Sequence, residues 1–178
     1  MKTNIKQLAF VFSGLAIITI VFLLTKSGNV EASDKNGKQF DDWSVQCNKE
    51  GPEDKKITVC LLTQLVNVTK DDKQEPLALY QLGYIGPKKE LKMIQTMPLG
   101  IRIDAGTSII SSKKLIAPGK FSVCTQVGCQ AVADISSSDL KTILNNNENS
   151  VVFMNIEGKQ VVMPLSTKGL EEGLKFIK

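Results

Sequence analysis

From Trp43 to Leu165 the apolar positions fall in short runs broken by turn residues. Trp43 to Cys47 reads as a strand, and Thr58 to Val68 as a second, with Gly-Pro-Glu-Asp-Lys-Lys between them as a turn. Thr69 to Pro76, Thr-Lys-Asp-Asp-Lys-Gln-Glu-Pro, reads as a loop. Leu77 to Ile85 and Glu90 to Met97 predict a hairpin around Gly86-Pro87. Leu99 to Ala105 and Thr107 to Ser111 continue the series, and Phe121 to Thr125 and Cys129 to Ile135 flank a further turn. Ser150 to Ile156 and Lys159 to Leu165 frame Glu157-Gly158, read as a two-residue hairpin turn because glycine accepts positive φ. Strand-sized runs with turn signals every eight to twelve residues or so predict an all-β, mainly antiparallel, sandwich-like domain.

Two stretches have helical spacing instead. Ser137 or Ser138 caps the first, Asp139 sits in its opening turn, and Leu140, Ile143 and Leu144 form its apolar stripe. The second follows Ser166, with Leu170, Leu174 and Ile177 on one face, Glu171 and Glu172 early, and Lys175 and Lys178 late, as the helix dipole favours. Gly169 and Gly173 weaken it, so it depends on docking against the sheet.

The N-terminus has a different character. Lys2 and Lys6 precede the uncharged run Leu8 to Leu24, and Val30-Glu31-Ala32 supplies small residues for a signal peptidase. Residues 1–32 are therefore read as a secretory signal peptide, 33–39 as a flexible leader, and 40–178 as the folded domain. The alternative is an uncleaved anchor, because the apolar run covers roughly 25 Å, close to a membrane span, and would associate the chain with the membrane through residues 8–24. Both readings export the domain.

Charge and residue usage then exclude several chemistries. After residue 32 the balance is 19 Lys+Arg against 17 Asp+Glu, too even to imply a nucleic-acid partner. No histidine is present, which removes imidazole acid–base catalysis, histidine-activated nucleophiles and the commonest zinc ligand. Arg102 is the single arginine, so clustered phosphate recognition is absent. Ser111-Ser112-Lys113-Lys114 fits Ser-x-x-Lys, yet no companion motif follows and a strand precedes it, so no catalytic residue is assigned. Asp41-Asp42 and Asp71-Asp72 read as solvated loop acids with no calcium-loop pattern around them, and no metal or cofactor is expected. Lys55-Lys56, Lys88-Lys89 and Lys113-Lys114 fall at turns, where they protect sheet edges. Asn67-Val68-Thr69 fits a glycosylation pattern that has meaning only in a eukaryotic secretory pathway.

Four cysteines in an exported domain read as two disulfides. Pairing Cys47 with Cys60 and Cys124 with Cys129 ties the two arms of one predicted hairpin each. The two other pairings would join the hairpins to each other and stay open. A redox role needs closer spacing at a helix N-terminus, and a zinc site needs four converging sulfurs.

Several segments together resemble one family. Phe40-Asp-Asp-Trp43 with Cys47 and Cys60, Met97-Pro-Leu-Gly-Ile101 with Asp104, Cys124 with Gly128-Cys-Gln-Ala131, and Pro164-Leu-Ser-Thr-Lys-Gly-Leu170 are similar in order and spacing to the invasion-associated locus B (IalB) family. Leu170 stands where an aromatic residue is expected. The resemblance implies an exported protein, periplasmic or envelope-associated in a Gram-negative bacterium, with its cysteines as structural bridges and no catalytic residues to carry over. The expected function is non-enzymatic protein binding, with an unknown envelope or host protein as partner and a role in host-cell invasion. Two rivals are an inhibitor or chaperone of a periplasmic partner and an enzyme with a lysine or carboxylate site.

Overall fold

The computed structural model describes residues 35–70 and 72–178, so the expected signal peptide, or anchor, lies outside the described residues. The strands are β1 (Gln39–Phe40), β2 (Trp43–Glu50), β3 (Ile57–Lys70), β4 (Lys73–Ile85), β5 (Glu90–Met97), β6 (Thr107–Ser111), β7 (Lys114–Thr125), β8 (Gly128–Asp134), β9 (Asn149–Met154) and β10 (Gln160–Leu165). The helices are α1 (Ser137–Leu144) and α2 (Leu170–Ile177). The strands form one antiparallel sheet in the order β1-β2-β3-β4-β5-β8-β7-β6-β9-β10. The first five strands meander. Strands β6 to β8 meander back, so that β8 lies on β5, and β9 and β10 then extend the sheet beyond β6.

Alternation decides which face is buried. Trp43 and Val45 of β2, Leu62 of β3, Tyr80 and Leu82 of β4, and Met93 and Met97 of β5 point inward, every second residue. Ile109, Val151, Phe153, Met163 and Leu165 join them from the far end of the sheet in the same core. Strands at opposite ends can share one core only if the sheet curls. The strand twist and bulges at Val66/Asn67, Ser108/Ile109 and Phe121/Val123 supply the bend. The sandwich-like, mainly antiparallel expectation holds, with the two facing halves continuous through β5 and β8.

A latch closes the curl. Trp43 Nε1 donates to Ser166 O (3.0 Å), Ser166 N donates to Gln64 Oε1 (3.2 Å), and Ser166 Oγ donates to Asp42 Oδ2 (2.5 Å). The chain leaving β10 is thereby fixed to β2 and β3. Helix α2 then packs over the same corner, with Leu170 and Leu174 buried and the Phe176 ring 5.3 Å from Phe40. Gly173 inside α2, and Gly169, which is its N-cap rather than the helical residue expected, allow this fit. A Cβ at Gly173 would lie 2.6 Å from Leu62 Cδ2, and one at Gly169 would lie 2.1 Å from Phe40 O.

Several elements differ from the sequence reading. Thr69–Pro76 is not a loop: β3 and β4 run through it to a tight turn, because Asn67–Thr69 and Gln74–Pro76 continue to pair. Leu99–Ala105 is not a strand; it holds a short 3₁₀ turn at Ile103–Ala105 and a single bridge, Ile101 to Asn155. Strand β7 begins at Lys114 rather than Phe121, carrying Pro118 and Gly119 through a bulge that bends it. The β9–β10 connection is a three-residue loop, Ile156-Glu157-Gly158, closed by Asn155 N donating to Lys159 O (2.9 Å), with Gly158 at φ +76°. The α1 cap is Ser136, which forms a capping box with Asp139. Residues 36–39, read as leader, lie along the outer edge of β2.

Candidate interaction surface

Strands β3 and β4 outrun their neighbours. The β2 ladder on β3 stops at Thr63, and the β5 ladder on β4 stops at Leu79. Residues 67–76 therefore pair only with each other and form a two-stranded arm. Val68 opposes Glu75, and Thr69 opposes Gln74, whose Nε2 donates to Thr69 Oγ1 (2.8 Å). β-branched residues and this cross-strand bond suit an extended ribbon. The bulge at Val66/Asn67 sets the angle at which the arm leaves the sheet. Its tip turns on Asp72, whose φ of +60° is one that aspartate tolerates. Leu65 at the root is 53% exposed and Val68 is 37% exposed, so apolar surface lies behind a charged tip.

The residues singled out in the sequence are spread over the domain. Cys47 pairs with Cys60 and Cys124 with Cys129 at disulfide distance, each at directly opposed positions of one hairpin, with Cα separations of 4.0 and 3.9 Å. Cys47 and Cys60 are half-buried against the core, whereas Cys129 is buried and its partner Cys124 is exposed. Met97 opposes Cys129 at one end of β5, whereas Cys60 lies toward the other end, near Gly83. The clasps thus sit toward opposite ends of the core and leave no thiol free among the described residues.

Ser111 and Lys114 are register partners across the β6–β7 turn. The Ser111 hydroxyl is buried and already engaged, donating to Thr142 O (3.3 Å) and accepting from Asn146 Nδ2 (3.2 Å). It works as a brace between β6 and α1. Asp42 is part of the latch, and Asp41 turns the β1–β2 connection at φ +45°. Asp72 is exposed at the arm tip, and Asp71 lies outside the described residues. The three lysine pairs are exposed at or beside turns, and Lys56 is bonded to Glu53 at 2.6 Å.

Charge pairing elsewhere is superficial. Arg102 holds Asp104 through both carboxylate oxygens (3.2 and 2.5 Å), which lowers the Asp104 pKa and raises that of Arg102. Hydrogen bonds to Asp134 and Glu90 raise the Lys92 pKa. Inside, Tyr80 opposes Gln95 across β4–β5, both fully buried, with the hydroxyl and the amide lacking a hydrogen-bond partner. Burial pushes the Tyr80 phenol well above its ordinary value. Sealed groups of this kind cannot meet a substrate. A depression of ≈ 100 Å³ lined by Thr107, Ser108, Val152 and Gln160 is too small for one of drug size. Among the described residues no three acidic or cysteine side chains gather as a metal site would require.

Sequence reasoning took the arm, Thr69–Pro76, for a protruding loop and missed its strand pairing, and it missed the latch. The arm carried the composition of a loop. The latch joins Trp43 to Ser166 and Gln64 to Ser166 across more than a hundred residues, and no local signal marks it.

A family model described as invasion associated locus B (IalB) protein matches residues 43–178. The crystal structure of invasion associated protein b from Bartonella henselae is similar in fold. Its TM-score is 0.63 and its identity 12%, over 79% of this chain and 92% of that one. No curated protein matches the chain.

Proposed function

Because the chain belongs to the invasion associated locus B (IalB) family, we propose that it is an exported bacterial envelope protein that acts by binding another protein, with the β3–β4 arm as its contact surface. The observation carrying this reading is the arm itself. Residues 67–76 make no ladder contact with the rest of the sheet. A ribbon that contributes so little to the core has its exposed residues free for a partner. Apolar Leu65 and Val68 at its root would supply buried area, and the charged tip would supply specificity. The clasped hairpins suit an oxidising compartment, which fits export. In the invasion reading, the bound protein belongs to the host cell or to the bacterium's own envelope. If the N-terminal segment stays attached, residues 8–24 hold the domain at the inner membrane, facing the periplasm.

The test replaces Val68–Glu75 with an Asn-Gly turn. The shortened protein should keep its thermal midpoint and its export, and should lose the cross-linked partner that the intact protein captures in living cells. An unchanged cross-linking pattern would remove the arm from the argument. A projecting ribbon is also the usual shape of an inhibitor loop, which gives the inhibitor reading its support. If the captured partner is a periplasmic enzyme and its activity recovers with the shortened arm, that reading replaces assistance of cell entry. Turnover of a peptide or ester substrate, lost in Ser111→Ala, would instead establish an enzyme.

A further inference from the structure

The two long edges of the sheet are finished differently. At β2 the preceding segment occupies the outward backbone groups. Val45 N donates to Lys38 O (2.8 Å), Gly37 N donates to Val45 O (2.8 Å), and Cys47 N donates to Asn36 Oδ1 (2.9 Å). Among the described residues no strand lies outside β10.

Which groups β10 turns outward follows from its register. Asn155 and Lys159 form a bonded pair, and bonded and non-bonded pairs alternate along an antiparallel ladder. Val161, Met163 and Leu165 therefore bond toward β9, and Gln160, Val162 and Pro164 turn their backbone outward. Pro164 can stand in the strand because its missing N–H falls on the open side. The outward groups of Gln160 and Val162 meet no hydrogen-bonding partner among the described residues.

Side chains leave this edge unguarded as well. Strands β6, β9 and β10 contain no Lys, Arg, Asp or Glu, and Val162 is 58% exposed. Exposed edges are ordinarily blunted by charge, cover or bulges, and this one has Pro164 alone. A bare edge completes its ladder by meeting another bare edge. The β2 edge of a second molecule is already filled from Trp43 to Cys47, which blocks head-to-tail growth. Pairing of β10 with β10 uses the same surface twice and stops at two.

We propose that β10 pairs antiparallel with β10 of a second copy of this chain, about a two-fold axis at Val161. In that register Gln160 and Val162 exchange N–H···O bonds across the axis. Lys159 faces Met163 rather than another lysine, and Pro164 faces Gly158, beyond the bonds that count. No like charges meet.

Sedimentation velocity and chemical cross-linking of the full chain in mild detergent, over a concentration series, test the pairing. The expected result is a dimer whose fraction falls at least tenfold in Val162→Pro. Within one molecule that change removes only an outward N–H, so the thermal midpoint should hold at concentrations where both proteins are monomeric. Val162→Lys should do the same by placing charge on the seam, and it serves if the proline variant fails to fold. Leu115→Lys, on the outer face away from the edge, should leave the dimer intact. A monomer at every concentration overturns the proposal. So does a dimer that survives a folded Val162→Pro or Val162→Lys, or one that Leu115→Lys dissolves.

Discussion

The β2 edge and the β10 edge begin as the same chemical problem, a row of backbone groups with no long strand beyond it among the described residues, and the chain treats them in opposite ways. At β2 it adds cover: the 36–40 segment, the Trp43 latch, helix α2 and the Cys47–Cys60 clasp all converge there. At β10 it adds only a proline. The lesson is that edge protection here is built by backbone cover from the adjoining 36–40 segment, held down by the long-range latch and α2, rather than by surface charge. Where those contacts stop, the sheet is left able to pair.

Removing the cover piece by piece should separate the two edges. Trp43→Ala has the largest expected effect. It empties a fully buried site and breaks the bond to Ser166 O, so urea unfolding should show a loss of about 3–5 kcal/mol. Next comes the Cys47→Ser/Cys60→Ser pair, expected to cost about 3 kcal/mol by loop entropy, against about 2 kcal/mol for Cys124→Ser/Cys129→Ser in the shorter ring. Parallel denaturation of the two double variants measures the difference. Equal losses would mean that native-state packing, not ring size, sets the value of each clasp.

Gly169→Ala should follow at about 1–3 kcal/mol, because φ is +77° and the new methyl would press on Phe40 O. Gly158→Ala, with nothing within 4 Å of its Cβ, tests the backbone term alone and should cost less. Asn36→Ala should cost about 1 kcal/mol or less, since it removes one exposed hydrogen bond to Cys47 N. Faster amide exchange at Cys47, with little change elsewhere, would mark that loss. The smallest effect belongs to the bare edge. Measured at a concentration where the protein is monomeric, Val162→Pro should leave the unfolding midpoint within error, since the group it removes is unpaired within one molecule. A large loss there would show that the β10 edge is covered after all.

Part of this architecture is local and could be read directly. Alternation marks the inward set on each strand, and Gly158 marks the β9–β10 turn. The arm misled because Thr-Lys-Asp-Asp-Lys-Gln-Glu-Pro has loop composition, whereas Thr69 and Gln74 pair through backbone that composition does not report. Leu99–Ala105 misled in the other direction: its apolar residues suggested a strand, but Ile103 is 59% exposed and the segment finds only one bridging partner. The candidate site suffered most, because an interaction surface is defined by what the rest of the fold leaves uncovered.

Sequence alone determined the class of fold, the two helices, the family and the exclusion of histidine chemistry, because each depends on residue identity or near-neighbour spacing. Only the tertiary structure decided that one sheet curls until Trp43 meets Ser166, that glycines at 169 and 173 are contacts rather than defects, and that one edge is sealed while the other stands open. The first two depend on groups far apart in the chain arriving within a few ångströms, and the third on where the assembled sheet ends, and no local pattern encodes either.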